Sequence, residues 1–105
     1  MVFDDNLNNE DIKIDFESIA IEERGQIASL FDRLERLSPS RGRIHFELIK
    51  QDEKFLCRLN LYSQNFQFTE TSNHTSALEA AREVMDKAFE ALRFWKQNRF
   101  DTYES

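Results

Sequence analysis

Arg43-Ile44-His45-Phe46-Glu47-Leu48-Ile49-Lys50, Gln51-Asp52-Glu53-Lys54, Phe55-Leu56-Cys57-Arg58-Leu59-Asn60-Leu61-Tyr62, Ser63-Gln64-Asn65 and Phe66-Gln67-Phe68-Thr69 follow one another without a break. This run decides the fold. Ile44, Phe46 and Leu48 alternate with Arg43, His45 and Glu47. Phe55, Cys57, Leu59 and Leu61 alternate with Leu56, Arg58, Asn60 and Tyr62, and Phe66 and Phe68 with Gln67 and Thr69. A period of two is the signature of a half-buried strand. The connections are short and polar, so the three strands form antiparallel hairpins.

Outward from this run the rhythm changes. Ile27, Leu30, Phe31, Leu34 and Leu37 recur at steps of three and four, which predicts a helix from about Glu22 to Leu37 with one apolar face. Gly25 weakens its first turn by roughly 1 kcal/mol relative to Ala. Ser38-Pro39-Ser40-Arg41-Gly42 stops it. Further upstream, Ile12, Ile14 and Phe16 alternate with Lys13, Asp15 and Glu17, a fourth strand. Downstream, Ser76-Ala77-Leu78-Glu79 is a capping box. It opens a helix whose buried stripe reads Leu78, Ala81, Met85, Ala88, Phe89, Leu92 and Trp95. The order is β-α-β-β-β-α. With one apolar face expected on every strand, the fold class is α+β: a two-layer sandwich, one four-stranded sheet with two helices on one face.

The 105 residues suit a single domain, and ten Phe supply large buried area per residue. The expected organisation is a flexible acidic arm over 1–10, the domain over 11–100 and a tail over 101–105. Cys57 is the sole cysteine, so an internal disulfide is excluded; its strand position makes it a small core residue. No apolar run reaches the eighteen or so residues that span a bilayer, and the start Met-Val-Phe-Asp-Asp is unlike a signal peptide. A cytoplasmic location is expected, with no membrane partner.

Charge is unevenly placed. The net is −6, yet residues 1–23 hold eight acids and one base, and the remaining residues twelve acids and thirteen bases. The body is therefore close to neutral and the acidity sits at one end. A mobile anionic arm beside a weakly basic surface is expected to tune nucleic-acid affinity; a merely solubilising tail is the other reading.

There is no Gly-rich phosphate loop, no pair of metal ligands at a working spacing and no nucleophile beside a base. No catalytic residue, metal, cofactor or small-molecule substrate is expected. His45 reads as an outward strand residue and His74 as part of the turn before the last helix. The bases carry more information. Arg33 and Arg36 share one flank of the first helix, Arg82 and Arg93 one flank of the last. Arg93, Lys96 and Arg99 populate an acid-free helix end, and Arg41 and Arg43 bracket the loop into the second strand. These are either solvated helix edges, with Arg82 pairing to Asp86 and Glu83 to Lys87, or a phosphate-contacting surface. The outer face of the last helix, with Glu79, Glu83, Asp86 and Glu90, opposes such a contact, so the flank and the helix end must make it. Phe94, Phe100 and Tyr103 either stack on bases or cap the core.

Several strings resemble the ribosome hibernation promoting factors, also called ribosome-associated inhibitors or sigma-54 modulation proteins. The likeness spans roughly residues 12–97. Asp32-Arg33-Leu34-Glu35-Arg36-Leu37 looks like the ending of that family's first helix, and Arg43 to Lys50 like its second strand. Ala80-Ala81 followed by Asp86-Lys87 looks like its last helix, with Ser76 and Leu78 standing where the family has Asp and Tyr. The resemblance implies a protein that binds the small ribosomal subunit and its ribosomal RNA, lies in the channel used by messenger and transfer RNA, and blocks translation in starved or resting cells. It implies RNA-contacting roles for Arg33, Arg36, Lys87 and Arg93, with Lys96 and Arg99 in a basic tail. The alternative is an interaction module of the same fold that has lost RNA binding and meets a protein partner. The double-stranded RNA-binding domain has another element order and a Lys-rich start to its last helix. Asn73-His74-Thr75-Ser76 excludes it.

Overall fold

The computed structural model of the chain describes residues 12–38 and 42–104, and side chains as far as residue 97. The expected arm over 1–10, Arg41 and the side chain of Arg99 lie outside the described residues. The elements are β1 (Ile12–Ile14), a 3-10 turn (Phe16–Ser18), α1 (Ile21–Leu37), β2 (Arg43–Gln51), β3 (Lys54–Tyr62), β4 (Gln67–His74) and α2 (Ala77–Glu104). The fold is α+β, as the alternation implied.

One four-stranded sheet has the order β1-β2-β3-β4. β1 runs parallel to β2, with Ile12 opposite Phe46 and Ile14 opposite Leu48. The other pairs are antiparallel hairpins, with Phe46 opposite Leu59, Leu48 opposite Cys57, and Leu61 opposite Phe68. Cross-strand partners share a face, so these pairs build one apolar surface. Ile27, Phe31 and Leu34 of α1 and Ala77, Ala80, Ala81, Val84, Met85, Ala88 and Leu92 of α2 are buried with them in one core. The rings of Phe31 and Phe46 meet at 5.5 Å, which pins α1 to the sheet. Cys57 is fully buried, and burial pushes its thiol up to about 12.

Two expectations about strands are corrected. β1 ends at Ile14, and Phe16 is 48 % exposed. Ser18 Oγ donates to Asp15 Oδ2 at 2.9 Å, and the 3-10 turn swings the chain off the sheet. Ile19 then enters the core in place of Phe16. β4 runs on to His74, which pairs with Phe55 and so belongs to the strand, not the turn. Its helix-facing positions are Phe68, Glu70, Ser72 and His74, so this strand does not present an apolar face. Its polar groups are satisfied by α2 instead. Ser72 Oγ donates to the Ala80 carbonyl at 2.7 Å, Glu70 takes Lys87 Nζ at 3.2 Å, and His74 meets Glu83.

The first turn of α2 is held from outside as well as inside. The Glu79 amide donates to Ser76 Oγ at 3.3 Å, the capping contact expected. Glu23 of α1 accepts from Ser76 Oγ and from the Leu78 amide, each at 3.2 Å. A carboxylate at a helix N-terminus is favoured by both its hydrogen bonds and the helix dipole. Glu23, counted from sequence only as part of the acidic first 23 residues, is an inter-helix cap.

Candidate nucleic-acid interface

The two helices lie side by side, and their junction gathers several of the bases named from sequence. On α2, residues seven and eleven apart fall on one stripe, so Arg82, Phe89 and Arg93 line the same flank. That flank faces α1. The Arg33 guanidinium sits over the Phe89 ring, 4.3 Å from its centre. Gln26, Ser29 and Leu30 join Arg33 and Arg82 around a hollow of about 290 Å³ between the helices. Arg93 is exposed one helical turn beyond Phe89, and Lys96 is half-buried on the same stripe. Arg33, Arg82, Arg93 and Lys96 are thus brought onto one ridge-and-groove surface. Stacking on Phe89 holds the guanidinium plane of Arg33 in place while leaving its edge open to an anion.

The other named bases go elsewhere. Arg36 is exposed on α1, with its guanidinium engaged by Asp32. Arg82 pairs with Glu79 at 3.8 Å rather than with Asp86. Lys87 lies on the opposite flank of α2, over β4, where Glu70 and Glu83 hold its ammonium at 3.2 and 3.4 Å. Those contacts, the hydrogen bond to Glu70 foremost, raise the Lys87 pKa; the hydrogen bond from His74 is the main cause of the lowered Glu83 carboxyl. Lys87 serves as a strap between sheet and helix. Arg43 stands on the far face of the sheet, away from the helices. The single surface uniting both helices with the start of β2 is therefore split by the sheet.

Phe89 belongs to this site although its spacing read as core. Its position between two helices, not its periodicity, decides that. Among the described residues no group of three or more His, Cys, Asp and Glu is placed to hold a metal ion. No described helix is long and apolar enough to cross a membrane. No protein-family model matches the chain, and no curated protein is significantly similar to it.

Proposed function

We propose that the chain is a non-catalytic, cytoplasmic RNA-binding domain that attaches to the small ribosomal subunit and holds translation off in starved or resting cells. The observation that carries this reading is the inter-helix groove, where Arg33 lies over Phe89 and shares a hollow with Arg82, and Arg93 follows on the same flank of α2. The element order, shared with the hibernation promoting factors, supports it. In this reading Arg33 and Arg93 meet backbone phosphates, and Arg82 exchanges Glu79 for phosphate. An exposed carboxylate pair is worth about 0–1 kcal/mol, so the exchange is cheap. Lys87, held by Glu70 and Glu83, straps α2 to the sheet.

Sedimentation with purified small subunits tests the proposal. Co-migration is expected at low salt and release at high salt, since phosphate contacts weaken linearly in the logarithm of salt concentration. The double variant R33Q/R93Q should weaken binding by about tenfold per base removed. Absence from the subunit fraction at every salt concentration would overturn it. A protein-interaction module is favoured instead by Phe94, 64 % exposed on the outside of α2 beside the acid Glu90. A partner held there stays bound at high salt and is released by Phe94→Ala.

A further inference from the structure

The face of the sheet turned away from the helices is covered by no described element. Its composition differs from that of the rest of the molecule. Taken row by row across the strands, Lys13, Glu47, Arg58 and Thr71 form one line, His45, Asn60 and Thr69 the next, and Arg43, Tyr62 and Gln67 the third. On the other side of the first row lie Ile49, Leu56 and Asn73, and then Gln51 and Lys54. The bases on these positions are Lys13, Arg43, Lys54 and Arg58; the only acid is Glu47. This is the reverse of a chain whose net charge is −6. Glu47 is also consumed locally. It accepts from Arg58 at 3.1 Å and meets His45 Nε2 at 3.1 Å, so it orients these two groups and projects little negative charge.

The end of the face remote from the Asp52-Glu53 turn carries a shallow hollow of about 390 Å³, lined by Arg43, Ile44, His45, Asn60 and Tyr62. The described residues of the two outward rows there include no acid. They hold one cation, one imidazole, two side-chain amides, a hydroxyl and an aromatic ring. Tyr62 is 46 % exposed although it is a large aromatic on a regular strand. Among the described residues no ring or cation stacks on it.

We propose that this open face binds single-stranded RNA, with a base stacked on Tyr62, its edge read by Asn60 and His45, and the backbone phosphates drawn to Arg43 and Arg58. Charge complementarity selects a polyanion. The ring selects unpaired bases, because a base inside a duplex has no free face to stack. The inference deepens the RNA-binding reading and rests on it: the inter-helix groove and the sheet face are two contact surfaces on opposite sides of one domain.

The test is fluorescence anisotropy of labelled oligouridine, with a blunt RNA duplex and polyglutamate as competitors, on the full chain. Wild type should bind oligouridine and be displaced by neither competitor at equal charge. Tyr62→Ala should weaken binding about tenfold, and Tyr62→Phe should restore it, since phenylalanine keeps the stacking face. Arg43→Gln should lower the salt slope by about 0.7, the value for one contact to a single strand. Equal affinity for Tyr62→Ala and wild type, with both melting alike, would overturn the proposal. So would displacement by the duplex, or by polyglutamate, the mark of an acidic protein partner. Sedimentation with small subunits separates the two readings. Co-migration that is indifferent to Tyr62→Ala sinks the sheet site alone. Tyr62-dependent oligouridine binding without co-migration sinks the ribosomal reading alone.

Discussion

Cys57 shows what one buried position does to chemistry. It lies opposite Leu48 and Ser72 within the sheet, without solvent contact, and its thiol is pushed up to about 12 from an ordinary 9.0. Burial disfavours the thiolate, the reactive form. A raised folded-state pKa contributes stability that is complete below pH 9 and is lost as pH rises toward 12, because the unfolded chain then ionises first. At about pH 11 the loss should be roughly 1–3 kcal/mol. Urea midpoints of wild type and Cys57→Ala, compared at about pH 8 and about pH 11, should converge as pH rises. A disulfide reagent should label Cys57 only at the rate of unfolding. The buried position of this residue was legible in its strand alternation. The exposure of Phe16 was not, since Ile12, Ile14 and Phe16 share one phase and the strand is ended by the hydrogen bonds of the 3-10 turn, from Ser18 to Asp15 and from Ile19 to Phe16.

Between elements, the contact of greatest consequence is that of Glu23 with the start of α2. It bridges residues more than fifty apart in sequence and adds a tertiary cap to the local one made by Ser76. Glu23→Ala should cost about 1 kcal/mol, the usual penalty for losing a cap, and Glu23→Gln, which keeps an acceptor oxygen, should cost less. Urea denaturation reads both, and amide exchange should show the loosening confined at first to residues 77–80. The β4–α2 seam teaches a related lesson. Ser72, His74 and Glu70 face the helix in a stretch read as lying beyond the strand, and Ala80, Glu83 and Lys87 answer them. An edge strand under a helix flank tolerates polar side chains as long as each finds a partner. No alternation pattern reveals this, which is why β4 was read as ending near Thr69.

For the whole molecule, the distribution of charge over surfaces matters more than its sum. The net of −6 opposes any polyanion at long range, and the proposed RNA contacts on the open sheet face and in the helix groove act against it at short range. Removing residues 1–10 takes away Asp4, Asp5 and Glu10 and brings the net to −3. Oligouridine should then bind more tightly at low salt, by a fewfold, and the gain should vanish at high salt, where the Debye length shrinks to about 3 Å at 1 M. Anisotropy titrations of both chains at two salt concentrations check this. Unchanged low-salt affinity would leave residues 1–10 only a solubilising role.

What the sequence by itself determined was the element order, the register sense of the hairpins and most of the core, because these follow from local periods of 2 and 3.6 residues. Ile27, Phe31, Leu34, Phe46, Leu48, Cys57, Leu59 and Leu61 were all legible in this way. The bases of a single helix flank, Arg82 with Arg93, were legible for the same reason. The tertiary structure alone decided which bases share a surface. Arg33 joins Arg82 because two helices pack side by side; Lys87 is tied down by Glu70; Arg43 shares a row with Tyr62, two rows from Arg58, because strand pairing sets them on one face. Periodicity assigns each side chain a direction relative to its own element. Which neighbour lies in that direction depends on packing between elements distant in the chain, and no local pattern encodes it.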